Sequence, residues 1–372
     1  MILNHRNLSL RFLLVAFLAL LAVMLVATLY PFDFFPVNGV EWLSDEPGLY
    51  FNGHGIAYTD KAKTICETKA VSVVLWLKER FGSKNWGPRE IFSFYDGFAS
   101  PPLVVGQWGG RIFLYSRFEK NEGDKWYRLF RTTYRFPRGK PHLVTVTFGG
   151  GVKAIYLDGE LNVKRKTETQ NAANIEFCGR LILGNSPKGW NGWWGEVKGL
   201  AIYSRVLLPE EILKHSSEVL QKGMRGLVET PGLLVLYPFD EGEGITAESL
   251  VGESHRFSIP TSRTPLIHAS MFYLPHKDMR FESLPVGDFL LNILLFVPYG
   301  ILFSTIILRK YTGGYLFTFI VVTLAGGLLS FTIEFLQLFL ATRISGIADI
   351  FGNIAGNGLG VLVAYFINPD IS

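Results

Sequence analysis

The sequence has little charge and almost no cysteine. Only 18% of its 372 residues are Asp, Glu, Lys or Arg, against roughly 25% in soluble proteins. Two cysteines are too few for a four-cysteine zinc site or a small disulfide scaffold, and the net charge of +4 is too small for a nucleic-acid-binding surface. By contrast, 48% of the residues are hydrophobic and the mean hydropathy is +0.24. This balance excludes disorder and a coiled coil, and it indicates membrane segments attached to a soluble part.

The apolar residues are concentrated in four segments, each long enough to span a bilayer as a helix. These segments cover residues 12–30, 286–308, 315–340 and 347–367. Arg6 and Arg11 precede the first segment, and Arg309 and Lys310 follow the second, so both flanks are expected in the cytoplasm. Both termini would then be cytoplasmic, and residues 40–285 would lie outside the cell membrane. Only Arg343, on the outer side, departs from this charge rule.

A cleaved signal peptide is the alternative interpretation of the first segment. Its apolar core is long for that role, and no small-x-small cleavage site precedes Tyr30, so we expect an uncleaved anchor. The predicted domains are a cytoplasmic tail with the first helix (1–35), an extracytoplasmic β-sandwich (36–265), a linker (266–285) and a region of three helices (286–372).

The middle of the chain has short alternating apolar runs separated by Gly, Pro and Asn. Strands are predicted at residues 70–78, 102–105, 111–115, 142–148, 152–157, 180–183 and 196–204, and a helix only at 209–217. Seven strands without intervening helices favour an all-β sandwich.

Six segments carry a family resemblance in this region. In order they read GLYFNGHGIAYT, AVSVVLWLKER, PHLVTVTF, AIYLDGEL, RLILGN and WWGEVKGLAIYSRVLLPEEI. This order resembles the concanavalin A-like, laminin G-like jelly roll over residues 47–217. The resemblance implies a jelly-roll sandwich that binds sugars, binds proteins or serves as a spacer. A calcium ion in such a domain has no supporting motif here, and no cofactor or metal site is predicted.

Paired carboxylates at the E-x-D-x-x-E spacing of the glucanases of this fold are missing. Glu196 is followed two residues later by Lys198, and Asp240, Glu241 and Glu243 lie in a Gly-rich turn. Since glycosidases need two such carboxylates, glycosidase activity is not expected.

Aromatic residues leave sugar binding open. The candidates for stacking on a sugar ring are Trp86, Trp108, Trp126 and Trp190. The alternative is that these rings pack in the core or at its rim. Packing in the core is expected for either Trp193 or Trp194, because the side chains of neighbouring residues on a strand point to opposite faces of the sheet. In an oxidising compartment Cys66 and Cys178 could form a disulfide, the alternative being two buried thiols.

The last 90 residues carry polar groups inside apolar segments. An acidic residue followed four residues later by Asn opens the second and the fourth segment, which places each pair on one helix face. The predicted intramembrane set is Asp288, Asn292, Glu334, Gln337, Arg343, Asp349, Asn353 and Asn357. Polar groups in hydrocarbon are unfavourable unless they face one another or water, so we expect them to converge into a polar cavity that opens outward beneath the β domain.

Glycine and proline residues also occur within the same predicted helices. Gly352, Gly356 and Gly360 form a small-x-x-x-small ridge that permits close helix contact. Pro298, two residues before Gly300, is expected to kink the second helix.

This polar pattern resembles the VanZ-like family of bacterial membrane proteins. The matching motifs are D-x-x-x-N-x-x-x-F-x-P-x-G at residues 288–300, S-x-x-I-E-x-x-Q at 330–337 and R-x-x-x-x-x-D-x-x-x-N-x-x-G at 343–356. The first segment and the following YPFDF also look like the family's first helix, with a β domain inserted behind it. The resemblance implies a bacterial cytoplasmic membrane protein with a link to glycopeptide-antibiotic tolerance.

Three functions are compatible with these patterns. The first is a non-enzymatic envelope protein whose β domain binds glycan or an envelope partner and whose helices bind an amphiphile, with Arg343 on a phosphate or carboxylate. The second is an intramembrane enzyme on a lipid-linked precursor with Glu334 or Asp349 as base, although no G-x-S-x-G, H-E-x-x-H or P-loop motif accompanies them. The third is a small transporter. The polar set could also act only in helix packing.

Overall fold

The computed structural model describes most of the chain. Described are residues 9–34, 36–59, 65–80, 87–97, 101–117, 130–167, 177–252, 256–263, 266, 286–311, 314–340, 343 and 345–367, with the side chains of 65–68 and 286–288 excepted. The chain divides into a helical unit, Met1–Phe35 with His268–Ser372, and a β unit, Pro36–Ile267. In the sequence, the β unit thus lies between the two parts of the helical unit, which agrees with a β domain inserted after the first helix.

The described residues of the β unit form seventeen strands. They are β1 (Val40–Trp42), β2 (Leu49–Asn52), β3 (Ala57–Thr59), β4 (Ile65–Thr68), β5 (Val71–Glu79), β6 (Arg89–Tyr95), β7 (Val104–Trp108), β8 (Arg111–Tyr115), β9 (Phe130–Arg131), β10 (His142–Gly149), β11 (Val152–Leu157), β12 (Glu160–Lys166), β13 (Phe177–Leu183), β14 (Trp194–Tyr203), β15 (Leu233–Tyr237), β16 (Thr246–Glu248) and β17 (Arg256–Ser258).

The strands form two antiparallel sheets. One has eight strands in the order β1-β2-β14-β5-β10-β11-β12, with β15 paired to β14. The other has nine, in the order β16-β17-β3-β13-β6-β7-β8-β9, with β4 paired to β13. The two sheets enclose a core rich in aromatic side chains, including Phe51, Phe92, Phe148 and Phe257. The predicted all-β sandwich is confirmed.

Helix α2 (Pro209–Lys222) covers part of the outer face of the eight-stranded sheet. Ile212 and Val219 on this helix share a second apolar cluster with Val74, Ala201 and Tyr203 on the sheet. Pro209 occupies the first position of this helix. The Glu211 side chain accepts a hydrogen bond from the Leu208 backbone N–H at 2.8 Å, and the two residues together define the start of the helix.

Where the structure describes the helical unit, it contains four helices. They are α1 (Leu10–Leu29), α3 (Val286–Lys310), α4 (Gly314–Gln337) and α5 (Ile347–Ile367), and each is long and apolar enough to cross a membrane. Met24 of α1, Phe296 of α3, Ile333 of α4 and Val361 of α5 belong to one apolar cluster. All four helices therefore pack together, and α1 is an integral member of the bundle.

Helices α3 and α5 approach closely along the glycine ridge. A Cβ atom on Gly356 would lie 2.2 Å from the Ile293 carbonyl oxygen, and one on Gly360 would lie 2.3 Å from that of Val297. On the facing side, a Cβ on Gly300 would lie 2.3 Å from the Asn357 carbonyl oxygen. Only glycine fits at such backbone contacts. Helix α3 continues through Pro298 to Lys310.

Candidate functional site

Polar side chains from three helices meet at one end of the helical unit. The Asn292 amide on α3 donates a hydrogen bond to Asp349 Oδ1 on α5 at 2.6 Å. The Glu334 carboxylate on α4 accepts one from the backbone N–H of Gly346 at 2.9 Å. The backbone carbonyl of Gly346 also accepts a hydrogen bond from the Asp349 backbone N–H at 3.1 Å. Gly346 is therefore hydrogen-bonded to both acidic residues. We call Asn292, Glu334 and Asp349 the acidic cluster.

Further polar contacts between α4 and α5 lie deeper along the two helices. Asn353 Nδ2 donates to Ser330 Oγ at 2.9 Å, and Asn357 Nδ2 donates to the Val322 carbonyl at 2.7 Å. A Cβ on Gly326 would lie 1.8 Å from Asn357 Nδ2, so glycine is required there. The Oδ1 atoms of both asparagines are buried and have no hydrogen-bond partner among the described residues.

Gln337 and Arg343 have a different role from the rest of the predicted set. The last four carbonyls of a helix lack intrahelical partners, and in α1 these include Ala27 and Thr28. Gln337 Nε2 donates to the Thr28 carbonyl at 3.0 Å, and Arg343 Nη2 donates to the carbonyls of Ala27 at 3.0 Å and Tyr30 at 3.1 Å. These two side chains cap α1, a role that sequence reasoning missed.

The structure therefore separates the eight predicted intramembrane residues into groups. Asn292, Glu334 and Asp349 form the acidic cluster, Asn353 and Asn357 extend it, and Gln337 and Arg343 hold α1. The side chain of Asp288 lies outside the described residues. Arg343 forms no salt bridge within the described part of the chain, and its guanidinium is bound to carbonyls rather than to a carboxylate.

The tryptophans predicted to bind sugar differ in exposure. Trp190 is exposed (38%), Trp108 is half-buried, and Trp86 and Trp126 lie outside the described residues. Trp193 is a core residue, and its indole N–H donates to Gln107 Oε1 at 2.8 Å. Trp190 is therefore the one described candidate that presents a ring to solvent.

Charged and amide groups surround Trp190. The Lys188 ammonium lies 5.0 Å from the centre of its ring, and Asn191 Nδ2 donates to Glu90 Oε1 at 3.2 Å. Glu90 Oε2 is buried without a partner among the described residues. Burial raises the pKa of Glu90 to about 7 and lowers that of Lys188. We call Glu90, Lys188, Trp190 and Asn191 the rim cluster; Glu90 carried no sequence signal because its burial depends on the loop around Trp190.

Several other acidic groups of the β unit are paired with cations. Glu196 is buried and forms salt bridges with Lys78 at 3.3 Å and with Arg80. Lys198 pairs with Glu46 at 2.5 Å, and Asp240 pairs with Arg225 at 2.7 Å. A cation-paired carboxylate stays ionised and is therefore poorly suited to the general-acid role of a glycosidase.

The two cysteines lie on neighbouring, paired strands of the β unit. Cys178 on β13 is disulfide-bonded, and Cys66, the only other cysteine in the sequence, lies on the paired strand β4. Within the described part of the chain, no group of three or more His, Cys, Asp or Glu side chains is placed to hold a metal ion.

Two family models match the chain. That of the VanZ/LLP1 family matches residues 230–368, and that of the concanavalin A-like lectin/glucanases superfamily matches residues 51–213. The first match begins inside the β unit and does not include α1. A search of curated proteins gives no significant match.

Solved structures resemble the chain only distantly. A candidate carbohydrate-binding protein from Bacteroides ovatus is 12% identical with a TM-score of 0.39, and the match covers 59% of this chain and 61% of that one. A Trypanosoma rangeli sialidase bound to the inhibitor DANA is 15% identical with a TM-score of 0.39 (50% and 29% covered). Domain 4 of a Geobacillus stearothermophilus arabinanase bound to arabinotriose is 14% identical with a TM-score of 0.35 (49% and 86% covered).

The chain spans less than two thirds of the length of the first two of these structures. The family matches and the four apolar helices establish the architecture. The chain is a membrane protein that joins a VanZ-like helical region to a concanavalin A-like β-sandwich.

Proposed function

We propose that this protein is a non-enzymatic, membrane-anchored glycan-binding protein of the bacterial cell envelope. The observation that carries the proposal is the rim cluster, in which an exposed tryptophan ring lies beside an ammonium, an amide and a carboxylate. Sugars present an apolar C–H face and several hydroxyl groups, and this combination of one ring and several polar groups complements both. The β unit would lie outside the cytoplasmic membrane, with both termini in the cytoplasm.

The eight tryptophans of the chain allow a direct test. They all lie between residues 42 and 194, so intrinsic tryptophan fluorescence reports on the β unit alone. The detergent-purified full-length chain would be titrated with soluble peptidoglycan fragments and with N-acetylglucosamine oligomers. We expect saturable binding that Trp190→Ala weakens about tenfold, which corresponds to about 1.4 kcal/mol.

Tyr134→Ala is the matched control, because Tyr134 is also an exposed aromatic residue of the β unit (72% exposed). It should leave the affinity unchanged. Equal affinity in wild type and Trp190→Ala, or no binding of any of these sugars, would contradict the proposal.

The acidic cluster favours a second function in the helical unit, binding of the polar head group of an amphiphile. It brings one amide and two carboxylates from three helices together at one level of the bundle. Phosphatidylethanolamine, whose ammonium group can pair with the carboxylates, would stabilise the protein by about 2.7 kcal/mol at 100 times its dissociation constant, and Glu334→Ala should remove this gain. An equal shift in both proteins would exclude this site.

A role in glycopeptide tolerance is a further part of the proposal, and it rests on the VanZ-like match at residues 230–368. Deleting the gene from its host should then increase teicoplanin susceptibility. Trp190→Ala should reproduce this increase if the rim cluster is responsible, and Glu334→Ala should reproduce it if the acidic cluster is responsible. An unchanged susceptibility in the deletion strain would exclude that role.

A further inference from the structure

The edges of the two sheets lie side by side in the β unit. Within the described residues, β12 is the last strand of the eight-stranded sheet and β9 is the last strand of the nine-stranded sheet. The backbone N–H of Thr133, just after β9, donates a hydrogen bond to Asn162 Oδ1 on β12 at 2.8 Å. The centre of the Phe130 ring on β9 lies 4.7 Å from the Lys153 ammonium and 5.4 Å from the Arg165 guanidinium. The two edges therefore form one continuous surface.

Positive charge is concentrated along this surface. Residues 130–167 contain eight Lys or Arg residues and two acidic residues, a net charge of +6, whereas the whole chain carries only +4. The two acidic residues, Asp158 and Glu160, lie together at the turn that leads into β12. The Asp158 carboxylate is bound to His142 at 2.6 Å. The remainder of this segment carries no negative side chain.

Five of these cations form no salt bridge within the described part of the chain, and none of the five is buried. By contrast, Arg138 pairs with Glu79 at 3.8 Å. Because neighbouring residues of a strand point to opposite sides, the cations of β12 flank the edge on both sides. We call the five residues the basic edge: Arg131, Arg135, Lys164, Arg165 and Lys166.

Protection of an edge strand explains only part of this arrangement. Exposed lysines on an edge hinder its pairing with another sheet, which accounts for Lys164 and Lys166. It does not account for Arg131, which lies on the other sheet, or for Lys153, which is 5% exposed and packs against the Phe130 ring. A concentration of cations without carboxylate partners attracts an anionic ligand.

We propose that the basic edge binds an extended, phosphate-bearing polymer of the cell envelope. The seven residues of β12 extend over about 23 Å, so its cations follow a line and do not converge on one small anion. A single exposed ion pair contributes little, whereas a linear polyanion engages several cations at once. Arg and Lys side chains both bind phosphate oxygens. A bilayer surface is flat and fits a narrow row of cations less well.

This site shares no residue with the rim cluster and does not require glycan binding there. It rests only on the proposed placement of the β unit outside the cytoplasmic membrane, where such polymers occur. The two binding activities can therefore be measured separately in the same protein.

The test measures binding of fluorescently labelled poly(glycerol phosphate) to the detergent-purified full-length protein by fluorescence anisotropy. We expect saturable binding that becomes about tenfold weaker when Lys164→Glu and Lys166→Glu are combined, because the polymer then loses two of its contacts and meets two like charges. Both side chains are exposed, so their replacement should leave the fold intact. The matched control combines Lys214→Glu with Lys222→Glu, an equal change of charge at exposed lysines of α2, and should keep the wild-type affinity.

Two further measurements identify the binding as electrostatic and as separate from the rim cluster. Raising sodium chloride from about 0.1 M to about 1 M shortens the screening length from about 10 Å to about 3 Å and should abolish polymer binding by the wild type. Trp190→Ala should bind the polymer like the wild type. The combined Lys164→Glu and Lys166→Glu variant should keep the wild-type affinity for N-acetylglucosamine oligomers, so failure of either proposal is distinguishable from failure of the other.

The proposal would be overturned if the wild type did not bind the polymer, or if the combined Lys164→Glu and Lys166→Glu variant bound it equally well. It would also be overturned if phosphatidylglycerol vesicles displaced the polymer from the wild type held in phosphatidylcholine nanodiscs. In that case the basic edge would bind a lipid surface.

Discussion

The side-chain amide of Gln337 donates a hydrogen bond to the backbone carbonyl of Thr28 at 3.0 Å, across 309 residues of sequence. Arg343 binds the neighbouring carbonyl of Ala27 in the same way. The C-terminal end of α1 is thus held by α4 and by the segment before α5, although the whole β unit separates them in the chain. This explains how a helix far from the VanZ-like match belongs to the same bundle.

Arg343→Ala should loosen α1 from the bundle. The backbone carbonyls of Ala27 and Tyr30 would lose their donor, and a loss of about 1–3 kcal/mol in the free energy of unfolding is expected. Thermal unfolding in detergent would measure it. Arg11→Ala, which removes an exposed arginine at the other end of α1, should change Tm little, and equal effects of the two substitutions would argue against the capping role.

Gly356→Ala should force α3 and α5 apart. The added Cβ would lie 2.2 Å from the Ile293 carbonyl oxygen, a backbone atom that cannot move alone, and overpacking of this kind costs about 1–3 kcal/mol. The control on the same helix is Gly358→Ala, whose Cβ would lie 3.9 Å from the Phe319 ring. The two variants should differ clearly in Tm, and similar values would refute the close contact.

The β unit should become less stable as the pH rises towards 8. Burial raises the pKa of Glu90 from 4.5 to about 7, so the folded state binds this proton more tightly than the unfolded state does. The resulting stabilisation is complete below pH 4.5 and is lost as the pH rises through about 7, by up to roughly 3 kcal/mol.

Urea unfolding at pH 5 and pH 8, followed by tryptophan fluorescence, would measure this effect. Glu90→Gln cannot ionise, so its stability should fall less between the two pH values than that of the wild type. Parallel pH dependences in the two proteins would show that Glu90 does not titrate in this range.

Local patterns in the sequence predicted the architecture well. The apolar runs gave the helices to within a few residues, and strand periodicity gave β5, β8, β10, β11 and β14. Short strands such as β1, β3, β9 and β16, of two or three residues, have too little periodicity to be recognised. The i, i+4 spacing correctly placed Asp349 and Asn353 on one face of α5.

Long-range contacts could not be predicted in the same way. Nothing near Arg343 indicates that its guanidinium binds α1, because the partner is a backbone carbonyl and carries no side-chain signal. The same holds for Glu90, whose partners Asn191 and Lys188 lie on a loop about 100 residues later in the chain.

The central claim is that glycan binding belongs to the β unit and does not depend on the acidic cluster. The most direct test is the thermal stability of wild type, Trp190→Ala and Glu334→Ala against soluble peptidoglycan fragments. The account predicts a Tm rise in wild type and Glu334→Ala and none in Trp190→Ala. No rise in the wild type, or a rise lost in Glu334→Ala but kept in Trp190→Ala, would contradict it.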